Sequence, residues 1–303
     1  MASKESLSSP SSPPLSSSRG VCRWWSEETV AVVTGANKGI GFAIVKRLAE
    51  AGLTVILTAR DSGRGRKAAE LLRALGLNNV HFFVLDVSNP HSITTFVSWF
   101  KPRFHALDIL VNNAAVSFNG IHENSVEHAE TVINTNFYGP KLLIEALLPL
   151  FRLSTSQARI LNISSRLGLL NKLRNPKMKQ MLEDEEEKLS EEQIEQLVSL
   201  FLEDVKKGTW KSQGWPESWT DYAVSKLALN SYSKVVAKRY KGCGLSVNCF
   251  CPGFTQTSMT GGQGAYTAGE AAEIAAGLVL LPPQQLPTGK FYINRHALVR
   301  SNL

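Results

Sequence analysis

Short apolar runs rich in β-branched residues alternate with amphipathic stretches along most of the chain. Thr29-Val30-Ala31-Val32-Val33-Thr34 is apolar at every inner position, the pattern of a short strand covered on both faces. It passes through Gly35-Ala36-Asn37-Lys38-Gly39-Ile40-Gly41 into an amphipathic stretch from Ile40 to Ala51, with Gly52 placed to end the helix in a left-handed turn. The same unit recurs. A strand at Thr54–Thr58 precedes a helix from Arg64 to Leu75; Val80–Leu85 and Leu107–Val111 read as strands around a helix from Pro90 to Phe104. A helical region holding Asn134–Gly139 leads to a strand at Arg159–Ile163. Further on, a helix through Tyr222 runs to about Lys241, followed by a strand at Leu245–Phe250, a helix at Ala268–Leu281 and an edge strand at Gly289–Ile293. Strands joined by helices predict an α/β fold, a doubly wound parallel Rossmann sheet of about seven strands with helices on both faces.

One stretch breaks the rhythm. Between Ile163 and Tyr222 lies a long stretch of chain, and it is patterned. Ser190-Glu191-Glu192-Gln193 is a capping box, and Ile194, Leu197, Val198, Phe201, Leu202 and Val205 recur at helical spacing before Gly208. The pattern predicts a helical insertion over about residues 170–215 within a single domain spanning 26–303. Before it, residues 1–25 are dominated by Ser and Pro and predict a disordered tail, with a short chloroplast transit peptide as the alternative.

The formal charge of +7 would permit a nucleic-acid surface, but Lys and Arg are scattered and the densest charge run, Glu183-Asp184-Glu185-Glu186-Glu187, is acidic. No nucleic-acid partner is expected. A basic surplus also suits an anionic small molecule such as a nucleotide. Four cysteines without Cys-x-x-Cys or His-x-x-x-His spacing make neither a disulfide framework nor a zinc site, so no metal is expected, and Cys249 and Cys251 read as buried strand thiols. No membrane span is expected either, and the expected location is the cytoplasm, or a plastid if the tail is a transit peptide.

Strand, glycine turn and helix form the context in which a dinucleotide fingerprint works: Gly35, Gly39 and Gly41 let the backbone approach a pyrophosphate at a helix N-terminus. About 20 residues beyond such glycines, NAD-binding folds place a carboxylate on the ribose 2′-hydroxyl. Here Ala59 and Arg60 occupy that place, which with Lys38 favours a 2′-phosphate and hence NADP; Asp61 argues the other way. Tyr222 and Lys226 are four apart on a predicted helix, so a phenol and an ammonium share a face, and the positive charge is expected to lower the tyrosine pKa. Ser164 and Ser165 close a strand at the ligand edge of the sheet, and alternation turns only one of them toward a ligand. A Gly-x-Ser-x-Gly elbow is absent around them, which removes a serine hydrolase from consideration.

Thr34-Gly35-x-x-x-Gly39-Ile40-Gly41, Asn112-Asn113-Ala114, Asn136, Ser165, Tyr222-x-x-x-Lys226 and Pro252-Gly253 follow one another in the order found in the short-chain dehydrogenase/reductases. The chain resembles that family from residue 29 to about residue 293, and within it the plant carbonyl reductases grouped with salutaridine reductase and the menthone/neomenthol reductases. Ala115 departs from the usual glycine of the Asn-Asn-Ala-Gly motif. The resemblance implies an NADPH-dependent carbonyl reductase acting on a small apolar ketone or aldehyde. It implies catalytic roles for Asn136, Ser165, Tyr222 and Lys226, the serine chosen over Ser164. It also implies a cofactor site made of Gly35, Asn37, Lys38, Gly39, Ile40, Gly41, Arg60, Asp86, Val87, Asn113, Tyr222, Lys226, Pro252, Gly253 and Thr255, and substrate contacts from Ser165, Tyr222 and Phe254. Phe118, Leu167 and Trp219 are further candidates for an apolar pocket. In reductases resembling this one the insertion covers the surface used for tetramers, so a monomer is expected. A catalytically silent NADP-binding regulator of the same fold is the other function class that the motifs allow.

Overall fold

All four residues of β1 (Val30–Val33) are buried, Val30 and Val32 against one apolar cluster and Ala31 and Val33 against the other. Side-chain alternation along a strand thus feeds two cores, one on each face of the sheet. The computed structural model describes residues 23–118, 125–153, 158–183, 189–285, 287–294 and 299–302; the expected Ser/Pro-rich tail through Cys22 and the acidic run after Glu183 lie outside them. β2 (Thr54–Ala59), β3 (Val80–Val84), β4 (Ile109–Asn112), β5 (Ala158–Ile163), β6 (Leu245–Cys251), β7 (Lys290–Ile293) and β8 (Val299–Asn302) complete a sheet of order β3-β2-β1-β4-β5-β6-β7-β8. The first seven strands are parallel, in register such that Val32 lies opposite Ile56 on one side and Leu110 on the other. The eighth runs antiparallel to β7. The expectation that residues 289–293 form the edge is therefore corrected: β8 covers them, and its Val-Arg-Ser-Asn sequence carries no apolar pattern that would announce a strand.

The helices are α1 (Gly39–Glu50), α2 (Ser62–Ala74), α3 (Pro90–Phe104), α4 (Val126–Ile133), α5 (Gly139–Leu147), α6 (Pro176–Glu183), α7 (Glu191–Lys206), α8 (Thr220–Arg239) and α9 (Ala268–Leu280). α1, α2 and α9 bury their apolar faces in one cluster; α3, α4, α5 and α8 do so in the other. Trp24 and Trp25 fasten the start of the domain ahead of residue 26, their ring N–H groups donating to Leu280 O at 3.1 Å and Ala51 O at 3.2 Å. These carbonyls belong to the ends of α9 and α1, where helical partners run out.

Chain order reverses between β1 and β4, whose carboxyl ends flank a crevice at the switch point of the sheet. The walls there are very close. Gly35, just after β1, has φ of 61°, and a Cβ on it would come within 2.7 Å of Ala114 Cα in the loop after β4. Only glycine satisfies both the left-handed backbone and the approach.

The insertion folds as expected. Ser190 and Gln193 cap α7 reciprocally, and Ile194, Leu197, Val198, Phe201 and Val205 are buried in the same cluster as Val224, Leu227 and Ala228 of α8. Its polar side is tied down by Lys141 of α5, whose ammonium meets Glu145 at 2.7 Å, Glu191 at 3.0 Å and Glu195 at 3.5 Å, while Arg239 of α8 pairs with Glu191. The return segment is anchored by Trp215, whose ring N–H donates to Asp204 Oδ2 at 2.9 Å.

Candidate active site

α2, α3, α4, α7 and α9 each begin with a side chain that accepts a hydrogen bond from the first-turn backbone (Asp61, Asn89, Ser125, Ser190 and Thr267), and Asn175 does the same for α6. α1 has no such cap and no acidic residue in its first turn, so its first N–H groups are left for another acceptor. Around them Asn113 donates to Thr34 O at 2.9 Å and Gly35 O at 3.1 Å, holding the glycine turn from the β4 side. A Cβ on Gly41 would fall 2.4 Å from that amide nitrogen. This open, glycine-lined helix start, at the carboxyl edge of β1, is a cradle fit for a pyrophosphate.

The other expected cofactor positions are set as follows. Asn37 is half-buried in the turn, while Lys38 and Arg60 are exposed. Asp61, which argued against a 2′-phosphate, is engaged elsewhere: its carboxylate accepts from Arg64 N at 2.8 Å and pairs with Arg64 Nε at 3.5 Å. Asp86 accepts from the Ser88 backbone at 3.0 Å and hydroxyl at 2.7 Å, and Val87 is buried against Gly139. Thr255 turns inward. It is 3% exposed and its hydroxyl donates to Pro252 O at 3.2 Å, so its polar group serves the loop itself. Thr257, which sequence reasoning passed over, lies instead with its methyl 3.5 Å from where a Gly39 Cβ would be, folding the loop after β6 back over the glycine turn.

Tyr222 and Lys226 occupy the first turns of α8. Lys226 is buried, its ammonium donates to Ile163 O at 2.8 Å, and it sits 5.5 Å from the centre of the Tyr222 ring. Burial pulls the lysine pKa down to about 8, partly opposed by Cys249 and Cys251. Tyr222 keeps part of its surface accessible, yet the protein packed around it pushes its hydroxyl pKa above the usual value, first through desolvation and then through Cys251. The expected lowering of the phenol pKa by Lys226 is not met by the chain's own groups. The ammonium is engaged by a carbonyl at the end of β5, and desolvation favours the neutral form of both partners. Trp219, just ahead of α8, is left-handed at φ 54° and packs edge-on against Tyr222 at 5.9 Å. For a residue of this bulk that backbone is strained.

Asn136 lies in a π-helical turn, Asn134–Tyr138, that joins α4 to α5 without a break. Its fully buried amide bonds both backbone groups of Val116, each at 2.9 Å, and donates to Ser225 Oγ at 3.1 Å, which in turn donates to Tyr222 O at 2.7 Å. The side chain thus ties the loop after β4 to the turn of α8 that carries the tyrosine.

The two serines after β5 separate clearly. Ser164 is buried and its hydroxyl donates to Asn230 Oδ1 at 2.6 Å. Ser165 is half-buried, its hydroxyl accepting from Leu167 N at 3.1 Å with its own proton free to serve an acceptor. The turn that follows lies directly on α8: a Cβ on Gly168 would meet Lys226 C at 2.4 Å and Leu227 N at 2.6 Å. Among the pocket candidates Phe118 stacks on His128 at 3.9 Å and Phe254 is 51% exposed, while Leu167 is half-buried.

The short chain dehydrogenase family profile matches residues 29–176 and 212–266, breaking over the stretch that holds α6 and α7. The (+)-neomenthol dehydrogenase of Arabidopsis thaliana is 40% identical over 88% of this chain and 97% of its own length. Carbonyl reductase [NADPH] 1 of Mus musculus is 36% identical over 88% and 96%. The solved structure of salutaridine reductase from Papaver somniferum superposes with a TM-score of 0.81 at 35% identity, covering 87% of this chain and 99% of that one. The chain belongs to the short-chain dehydrogenase/reductase family and has its oxidoreductase fold.

Proposed function

We propose that the chain is an NADPH-dependent carbonyl reductase that converts a ketone or aldehyde of a small apolar molecule to the alcohol. The observation that carries this reading is the meeting of three groups at the same carboxyl edge of the sheet as an open helix start: Tyr222 and Lys226 on one face of α8, and the Ser165 turn laid against that same helix through Gly168. When bound, the nicotinamide supplies the hydride and, once oxidised, a positive charge beside the phenol. Ser165 donates to the substrate oxygen and Tyr222 gives its proton to the alkoxide that forms there. The phenol is protonated at neutral pH and so has a proton to give, and the alkoxide, a far stronger base than a phenolate, takes it. Lys226 steadies the cofactor ribose, and Asn136 fixes the backbone around it. Gly35, Gly39, Ile40 and Gly41 would hold the pyrophosphate of the cofactor; Asn37, Lys38 and Arg60, with Asp86, Val87 and Asn113, would hold its adenosine end, and Pro252, Gly253 and the loop beyond its nicotinamide. Phe254, exposed at the loop's start, meets the substrate.

NADPH is preferred to NADH because Asp61 spends its charge on α2 and leaves Arg60 as the charged group next to the ribose. A panel of terpenoid, alkaloid and simple aldehyde substrates, each run with NADPH and with NADH, tests reaction and cofactor together. Arg60→Ala should raise the KM for NADPH about 10- to 100-fold, the worth of a charge-assisted hydrogen bond, and change NADH kinetics about twofold or less. Inactivity on every carbonyl alongside tight NADPH binding would point to a regulatory protein instead.

The insertion also supports a monomer, since α7 lies over α4 and α8 and its charges are paired to α5. Sedimentation should give a single species near the 33.2 kDa of the chain, and a stable tetramer would refute this.

A further inference from the structure

Tyr222, Lys226 and Asn230 stand four residues apart on α8 and so form one stripe along it. The third member has no place in the reaction described above, yet it is 4% exposed and both ends of its amide are used. Its Oδ1 accepts from the Ser164 hydroxyl at 2.6 Å and its Nδ2 donates to Gly168 O at 2.9 Å. These two partners bracket the turn that carries Ser165. The turn is held from β6 as well, with Ser164 N donating to Phe250 O at 2.7 Å and Arg166 N to Cys251 Sγ at 3.3 Å, but those bonds fix it to the sheet and not to the catalytic helix.

We infer that Asn230 is a positioning residue, which clasps the Ser164–Gly168 turn to α8 and thereby fixes the Ser165 hydroxyl relative to the Tyr222 phenol. The inference rests on the proposed carbonyl reduction. A buried amide makes a strong clasp, because parting either bond strands a buried donor or acceptor. It also sets a direction: with Gly168 already touching the backbone of Lys226, the turn has no room to move closer, so loosening Asn230 can only let Ser165 drift away.

The test is a mutant cycle on the fastest ketone of the panel, using Asn230→Leu, Ser165→Ala and the double variant, with NADPH affinity followed by fluorescence. Asn230→Leu should lower kcat about 30-fold and Ser165→Ala about 100-fold, the scale of a displaced or deleted polar contact, with NADPH binding held within about twofold. The double variant should fall no more than about threefold below Ser165→Ala, because the asparagine acts through the serine. Ser164→Ala removes one bond of the clasp with a smaller packing change; it should cost about fivefold in the parent and about nothing in Ser165→Ala, so the cycle stands even if Asn230→Leu does not fold. Losses that multiply in the double variants, or an unchanged kcat in both Asn230→Leu and Ser164→Ala, would overturn the positioning role alone. Full activity of Ser165→Ala would overturn the serine's part in the proposed reaction and this inference with it.

Discussion

Tyr222→Phe should lower kcat for carbonyl reduction by about 10³-fold while NADPH affinity stays within about twofold, because the change deletes the proposed proton donor and little else. The first turn of α8 is held by backbone contacts that the substitution leaves in place, with Trp219 O accepting from Ala223 N at 2.7 Å and Asp221 accepting from Tyr222 N at 2.6 Å. Edge-on packing against Trp219 needs only the ring, which phenylalanine keeps. Steady-state rates with NADPH, together with cofactor titration, separate the two quantities. A variant that reduces ketones at near the parent rate would remove Tyr222 from the reaction.

Lys226→Met should abolish most activity and at the same time stabilise the cofactor-free protein near pH 7. The folded lysine titrates at about 8, well below its ordinary 10.5, so the folded state disfavours the ammonium that the unfolded chain carries freely. Below pH 8 both states are protonated and the whole penalty is present. As pH rises from 8 to 10.5 the folded state has already lost its proton while the unfolded state still holds one, and the penalty fades. The shift corresponds to about 3 kcal/mol, from which the lost bond to Ile163 O takes back about 1 kcal/mol, leaving a gain on the order of 2 kcal/mol. Thermal melts should show a higher Tm for the variant at pH 7 and a shrinking difference as the pH approaches 10. Equal Tm values at pH 7 would mean that the buried ammonium costs the fold nothing. In the proposed reaction the residue is thus a case of stability given up for function.

Much of this architecture is legible in the sequence because its signals are local. β1 announces itself through Val30–Val33, α7 through Ser190 to Gln193, and the glycine turn through its position between a strand and a helix. The Tyr222–Lys226 pair is visible because four residues are one helical turn. What escapes depends on distant parts of the chain. Nothing in Thr255-Gln256-Thr257 tells which threonine turns inward, since that follows from the loop's return at Tyr266, whose carbonyl accepts from Gln256 N at 2.8 Å. Asn230 continues the stripe of Tyr222 and Lys226 in plain view, but its use emerges only when Ser164 and Gly168 arrive from 62 or more residues earlier. The lysine's effect on the phenol is misjudged from sequence because the ammonium finds a carbonyl at the end of β5, and desolvation then outweighs the attraction between neighbours.

The π turn at Asn134–Tyr138 sets a limit on how the chain can lose or gain residues. Such a turn holds one residue more than an α-helical path would, in a helix that otherwise runs unbroken from Val126 to Leu147. Point substitutions leave that count unchanged. Deleting a single residue such as Thr135 would let the turn relax to regular winding and would move Asn136 off the position from which it reaches Val116 and Ser225. The family profile breaks over the stretch of α6 and α7 but runs on through this helix.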